Sequence, residues 1–410
     1  MSTRAAPAAA TSALPPYLTG LGAWFAAFGI GMVMVQWIVA EILHQPADRL
    51  GLVQLCLMGP SILFMLWGGA VADHGDPRRQ LLVCHGLAAL PPLGLAILAA
   101  GDKLGFGAMV VYALANGTIS AFAIPARDGL LPRVTSLPLP MAVAMATGAQ
   151  FLCQLLGIVL AMSADAVGAA PLLAVQSAIM LIGGIAIWRL APQPPVPRVD
   201  GAPDGLAALW DGIRVARASS QIWPVLVLLF AVGVFYGATF MVVIPIAVRD
   251  VYGGGSVRLA MVNFAFWAGV IAASFMLMRV GGNLVRRGRS VVLALSWGLV
   301  VLLGISFLPP FPVVLLLVFL WGAGAGVTMT QGRTIVQMAT PDSHRSRVVA
   351  LFQLGFTGGL PLGAPIIGAI AHGWGLSGAM WVSFAGMLCV LMLVAVGSGI
   401  WRQELHAAPG

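Results

Sequence analysis

The chain has 410 residues, 60% of them hydrophobic and 8% charged, with a net charge of +8. A soluble domain carries about 25% charged residues, so this chain has too little polar surface to face water and takes lipid as its solvent. The net charge does not indicate nucleic acid, because the basic residues are nearly all arginines, spread in ones to threes between apolar runs, with no basic face and no aromatic-basic platform.

Residues 1–17 carry Arg4 and an Ala/Pro-rich stretch ending at Pro15-Pro16, and read as a tail. The apolar run that follows is roughly 25 residues long, beyond the core of about 7–15 residues in a signal peptide. It reads as a retained first span. Apolar runs of at least about 18 residues cross a bilayer as helices, and only helices or closed barrels satisfy the backbone there. Twelve spans are therefore predicted, at 18–43, 48–72, 79–100, 104–126, 139–163, 170–190, 222–248, 258–280, 290–308, 313–337, 348–371 and 376–400. Pro46, Asp76-Pro77, Gly101-Asp102, Pro309-Pro310 and Pro341-Asp342 mark abrupt breaks between them.

Residues 191–221 are the one long interruption. They open with a stiff Pro-rich run, Ala191 to Pro197. Then Leu206, Leu209, Trp210, Ile213 and Val215 alternate with Asp211, Arg214 and Arg217. This reads as a short amphipathic helix on the membrane surface. The expected fold is all-α, with twelve transmembrane helices in two pseudo-symmetric six-helix bundles. The parts are a tail at 1–17, a bundle at 18–190, a linker at 191–221, a second bundle at 222–400 and a tail at 401–410.

Orientation follows from the basic residues. With the N-terminus in the cytoplasm, Arg4, Arg78, Arg79, Arg127, Arg133, Arg189, Arg198, Arg214, Arg217, Arg286, Arg287, Arg289, Arg345, Arg347 and Arg402 fall inside. Arg49, Lys103, Arg249 and Arg258 fall outside. The positive-inside bias then places both termini in the cytoplasm, in a multi-pass protein of the inner (plasma) membrane.

Reaction chemistry is not indicated. Cys56, Cys84, Cys153 and Cys389 lie inside apolar runs, with no C-x-x-C or Cys/His cluster. The six histidines are scattered. No phosphate loop of the G-x-x-x-x-G-K type occurs, so ATP is not the driver. We expect no enzymatic activity, no cofactor and no metal.

The stretch Gly68-Gly69-Ala70-Val71-Ala72-Asp73-His74-Gly75-Asp76-Pro77-Arg78-Arg79 lies between the second and third spans. Its Gly-x-x-x-Asp and basic pair are similar to the loop between helices 2 and 3 of the major facilitator superfamily. Four further stretches add to the likeness: Trp37 to Glu41, Pro125 to Val134, Gln337 to Val348, and Pro361 to Gly368. Together, in this order, they resemble the exporter branch that includes enterobactin-type siderophore exporters and macrolide efflux proteins. Gly281 to Arg289 repeats the basic loop in the second half, with Val285 where the Asp would fall. Span 1 reads Phe28-Gly29-Ile30-Gly31, without the Asp many relatives carry, and Gly157-Ile158 stands where antiporters have Gly-Pro.

The resemblance implies alternating access between two parallel halves. It implies a latch on the inner rim from Asp73, Arg78, Arg79 and Asp128. Asp342 with Arg345 or Arg347, and Arg286, Arg287 and Arg289, are its second-half counterparts. Solvated loop charge is the competing reading. Polar groups in spans face protein or a water-filled cavity rather than lipid. Candidates for a central substrate path are Gln36, Asn116, Arg127, Gln150, Gln154, Tyr236, Asn263, Gln331 and Arg333. Interhelical hydrogen bonding, worth about 0.6–2 kcal/mol each, is the alternative, as is snorkelling for Arg127 and Arg333. Glu41, the acid nearest the membrane interior, is the proton-carrier candidate, with Asp165 second; a hydrated outer carboxylate is the alternative for Glu41. The expected function is proton-coupled export of a small amphipathic compound, siderophore or drug-like. Alternatives are an uptake symporter, an uncoupled facilitator of a small organic solute, or a non-transporting scaffold. Expected partners are the small-molecule substrate, protons and membrane lipid, with no nucleic acid and the protein acting as a monomer.

Overall fold

The computed structural model describes residues 13–193, 205–280, 286–340, 345–398 and 400–401. Among the described residues every regular element is a helix, as lipid demands of a backbone that must satisfy itself. Spans 1 to 6 are Leu14–Ile42, Ala47–His74, Pro77–Ala100, Phe106–Val134, Leu139–Ala161 and Ala169–Trp188. Spans 7 to 10 are Ile222–Val251, Ser256–Val280, Arg287–Ser306 and Phe311–Ala339. The last helical element, Arg345–Gly397, has 53 residues. Straight, it would run about 80 Å, against a hydrocarbon core about 30 Å thick. Gly375, at φ 77°, breaks it, a conformation glycine adopts freely. Span 11 is then 345–374 and span 12 is 376–397. Twelve crossings put residue 13, the segment after span 6 and residue 401 on one side, called here the terminal face. The opposite side is the far face.

Several ends differ from the sequence expectation for physical reasons. Pro15 and Pro16 lie in the first turn of span 1 rather than ahead of it. A helix's first N–H groups have no internal partner, so proline is tolerated there. Span 4 continues past Pro125 and Pro132 to Val134. Leu130, Leu131 and Val134 extend its apolar face into the core of the first half, so Arg127, Asp128 and Arg133 are helical. Asp73 lies in the last turn of span 2, and the turn itself is only Gly75 and Asp76.

Spans 1 and 7 occupy corresponding places in the two halves, and both widen to π-helix. The wide turns are Ile38–Ile42 in span 1 and Val232–Gly237 and Thr239–Val243 in span 7. Such turns gather at functional sites, where they re-aim side chains.

Without a hydrophobic drive between helices in lipid, association rests on close packing. Gly29 and Gly157 supply it reciprocally. A Cβ on Gly29 would collide with Gln154 O, and one on Gly157 with Ala26 O, so spans 1 and 5 touch backbone to backbone. The same device joins the halves. A Cβ on Gly51 of span 2 would strike Ala364 O of span 11, and one on Gly368 would strike Ala47 O. Both contacts lie toward the far face.

The helix Gly205–Ala218 sits between spans 6 and 7 in sequence. It packs on span 2 and on the last helical element. Its small residues Gly212 and Ala216 are buried, while Trp210 is 67% exposed. The expected apolar stripe thus divides, with the small face against protein and the tryptophan turned outward.

Candidate gate and substrate path

Span 8 begins at Ser256, after Gly253, Gly254 and Gly255, all at positive φ. Its first N–H groups lack helical partners, and the helix dipole makes this end positive. Glycines offer no side chain to cap it. Two carboxylates of the first half do so instead. Ser256 N donates to Asp165 Oδ2 at 2.7 Å, and Gly255 N donates to Glu41 Oε1 at 3.1 Å. The bonding is reciprocal, because Asp165 N donates to Ser256 Oγ at 3.0 Å. The Ser256 hydroxyl itself donates to Met162 O at 3.0 Å. Trp37 Nε1 donates to Asp165 Oδ1 at 3.0 Å and fixes that carboxylate. Gly254 has φ 64°, which favours glycine, and a Cβ there would crowd Glu41 Oε2.

A second far-face tie comes from span 7. Arg249 Nη1 donates to Ala40 O at 3.0 Å and to Gln45 O at 2.8 Å. Its Nε pairs with the neighbouring Asp250 at 2.6 Å. Ala40 lies in the wide π turn that ends span 1, where the last carbonyls of a helix have no partner within it.

Five to eight residues below these ties, about 10 Å along the helices, the halves meet through neutral polar groups. Asn263 Nδ2 donates to Gln36 Oε1 at 2.9 Å, and Gln36 Nε2 reaches Met241 Sδ at 3.6 Å. Gln36, Gln154 and Asn263 are buried. Asn263 Oδ1, Gln154 Nε2 and Trp267 Nε1 are buried with no hydrogen-bond partner. Phe151 of span 5 lies 6.1 Å from Trp267 of span 8, ring to ring. Phe240 and Phe266 continue this aromatic wall at 4.4 Å. Unpaired amide and indole groups beside aromatic rings can take hydrogen bonds and apolar surface from one amphipathic solute.

The other sequence candidates are placed as follows. Asn116 donates to Tyr112 O on its own helix at 3.0 Å. Gln150 is half-buried. Tyr236 is buried, and its hydroxyl donates to Leu295 O of span 9 at 2.9 Å. Gln331 accepts from Arg287 Nη1 at 3.2 Å. Arg333 is exposed. Arg127 pairs with Asp128 at 3.1 Å and lies 5.1 Å over the Phe25 ring. Tyr17 donates to the Arg127 carbonyl at 3.1 Å.

At the terminal face, Asp76 caps span 3 by accepting from Arg78 N at 2.9 Å. Arg78 Nη2 donates to Trp188 O, and Arg79 is exposed. Gln80 Nε2 ties Gly68 O and Phe122 O at 3.0 and 2.8 Å. Arg289 lies 4.9 Å over the Trp401 ring, and Arg286 is exposed at the start of span 9. Each partner named here belongs to the same half as its donor. The side chains of Asp73, Arg345 and Arg347, and the whole of Asp342, lie outside the described residues.

Sequence reasoning did not find the pairing of Asp165 with Ser256, nor the roles of Arg249 and Met241. Their partners are 91 to 209 residues away. The one local signal was the run of three glycines directly before a helix.

The family described as transmembrane secretion effector matches residues 17–400. The staphyloferrin A transporter of Staphylococcus aureus is 23% identical over 383 residues, covering 92% of this chain and 93% of that one. The multidrug efflux pump Tap of Mycobacterium tuberculosis is 25% identical over 409 residues, covering 93% and 92%. Among solved structures, the nucleoside transporter NupG superposes with a TM-score of 0.71 at 14% identity, over 96% of this chain and all of that one. A bacterial homologue of the human lysosomal transporter Spinster, inward-facing and unoccupied, gives 0.68 at 12% identity, over 97% and 100%. At these identities the structures speak for the fold alone.

Proposed function

The chain belongs to the transmembrane secretion effector family of the major facilitator superfamily, and on that premise we propose proton-driven export of a small amphipathic compound. Family membership makes it a membrane transporter. Cargo, direction and coupling are our reading. The efflux role of Tap and the staphyloferrin A cargo of the other relative support a drug-like or siderophore-like substrate.

The observation that carries the proposal is an asymmetry between the two faces. Glu41, Asp165 and Arg249 all bond across the halves, and all do so at the far face. The terminal-face partners of Arg78, Asp128, Arg287 and Arg289 stay within one half. This supports an alternating-access cycle caught with the far face shut; the terminal face, which we assign to the cytoplasm, is its other gate. Cargo enters between the halves and reaches Gln36, Gln154, Asn263 and Trp267. Rocking of the halves then breaks the Asp165 and Glu41 caps, and cargo leaves on the far side. Glu41, half-buried against Gly255 while the far face is shut, is freed to external water in the open state and exchanges its proton there. Asp73, with Arg78 and Arg79, closes the terminal face in the same state.

The lack of an Asp after Gly29 in span 1 favours a second reading, uptake symport or uncoupled flux. A survival screen in an efflux-deficient host, with and without the gene, identifies a cargo. Everted vesicles acidified by respiration then decide direction: cargo addition should release lumenal protons under antiport. Proton entry together with cargo, or no proton movement, overturns the export reading.

A further inference from the structure

An apolar groove opens on the outer wall of the first half, between spans 3 and 6. Leu82 and Gly86 form one side, and Leu181, Gly184, Ile185 and Trp188 form the other. It holds 260 Å³ of free space. The space exists because two lining residues lack side chains; a Cβ on Gly86 would meet nothing within 4 Å.

The groove has a direction. Residues 181, 184, 185 and 188 recur at helical spacing along one face of span 6, and Trp188 is its last residue. Residues 79, 82 and 86 do the same on span 3, so Arg79 stands one turn above Leu82. From Pro77 to Gly86 the helix descends about 13 Å, roughly half of a hydrocarbon core about 30 Å thick. The groove is one leaflet deep.

Its mouth is basic. Arg189 follows Trp188 directly, and Arg79 and Arg189 are both exposed. Arg78 Nη2 donates to the Trp188 carbonyl and pins the lip between the two helices. The nearby Asp76 carboxylate is already engaged with Arg78 N.

We propose that this groove binds one anionic phospholipid, with an acyl chain along Gly86 and Gly184 and the phosphate between Arg79 and Arg189. An oily slot one chain deep beneath two cations matches that molecule, and basic pockets between helices at the membrane surface select anionic head groups. The groove lies outside the path between the halves but shares Arg79 with the proposed latch; its readout is lipid retention rather than transport, so its test does not depend on the transport reading.

The full-length protein is reconstituted in nanodiscs of equal phosphatidylglycerol and phosphatidylcholine, and the lipids that stay bound are counted by native mass spectrometry. The wild type should retain phosphatidylglycerol over phosphatidylcholine by on the order of tenfold. Arg79→Gln with Arg189→Gln should bring retention to the bulk ratio. Gly86→Leu, whose Cβ meets nothing within 4 Å and whose side chain occupies the groove, should lose the bound lipid of either kind. A second readout is quenching of Trp188 by chain-brominated lipid, stronger for phosphatidylglycerol and removed by Trp188→Phe. Retention at the bulk ratio in the wild type, or undiminished phosphatidylglycerol retention in folded Gly86→Leu protein, overturns the proposal.

Discussion

Asp165 caps a helix that begins 91 residues further along the chain. Span 8 follows three glycines and has no acid or amide of its own in the capping position, so closing the far face is what satisfies its first N–H groups. Losing such a cap costs about 0.5–2 kcal/mol. Asp165→Ala should therefore move the closed-to-open balance by about tenfold toward the far-open state. A cysteine at Val248, buried in the closed far face, reports it, in a background with the four native cysteines replaced. Its labelling by an impermeant maleimide should accelerate accordingly, and an unchanged rate removes Asp165 from the gate. Glu41→Gln keeps the shape of its side chain but cannot exchange a proton. Transport should persist in part with its pH response gone; a retained response removes Glu41 as carrier. Glu41 was legible in the sequence as the acid nearest the membrane interior. Asp165 was read only as a second proton-carrier candidate, because nothing local shows that an exposed acid will meet Ser256.

At the scale of the helices, the sequence was read well where length and hydropathy decide, and less well where packing decides. The division between spans 11 and 12 followed from the apolar runs, and Gly375 supplies it. The ends of spans 1 and 4 did not follow. Proline was taken as a boundary, while the structure holds it in a first turn or within a helix whose buried face continues. Gly322 and Gly326, four residues apart, lie against Phe266 O and Val270 O of span 8. The two kinds of close contact predict different outcomes. Gly157→Val forces apart spans 1 and 5 within one half, costing about 1–3 kcal/mol. It should lower the Tm and leave Val248→Cys labelling unchanged. Gly51→Val forces apart spans 2 and 11 between the halves. It should speed that labelling with a smaller loss of Tm. The opposite pattern would mean that the span 2–span 11 contact stabilises the fold rather than the closed state.

For the molecule as a whole, the twelve crossings and the six-and-six arrangement were legible because lipid permits few architectures. Which face is shut was not, since it depends on contacts between residues far apart in the chain. Those contacts make the far face a set of polar ties around a capped helix end, above buried amides and an aromatic wall. The most direct measurement of a rocking cycle uses two spin-label pairs in nanodiscs, read by double electron–electron resonance. One pair, at Val167 and Val257, spans the halves at the far face; the other, at Leu139 and Met338, spans them at the terminal face. All four positions are exposed. The wild type should give a short far-face and a long terminal-face distance, and Asp165→Ala should lengthen the first while shortening the second. Distances that stay fixed in both pairs, or that change in the same sense, would contradict alternating access governed by this cap.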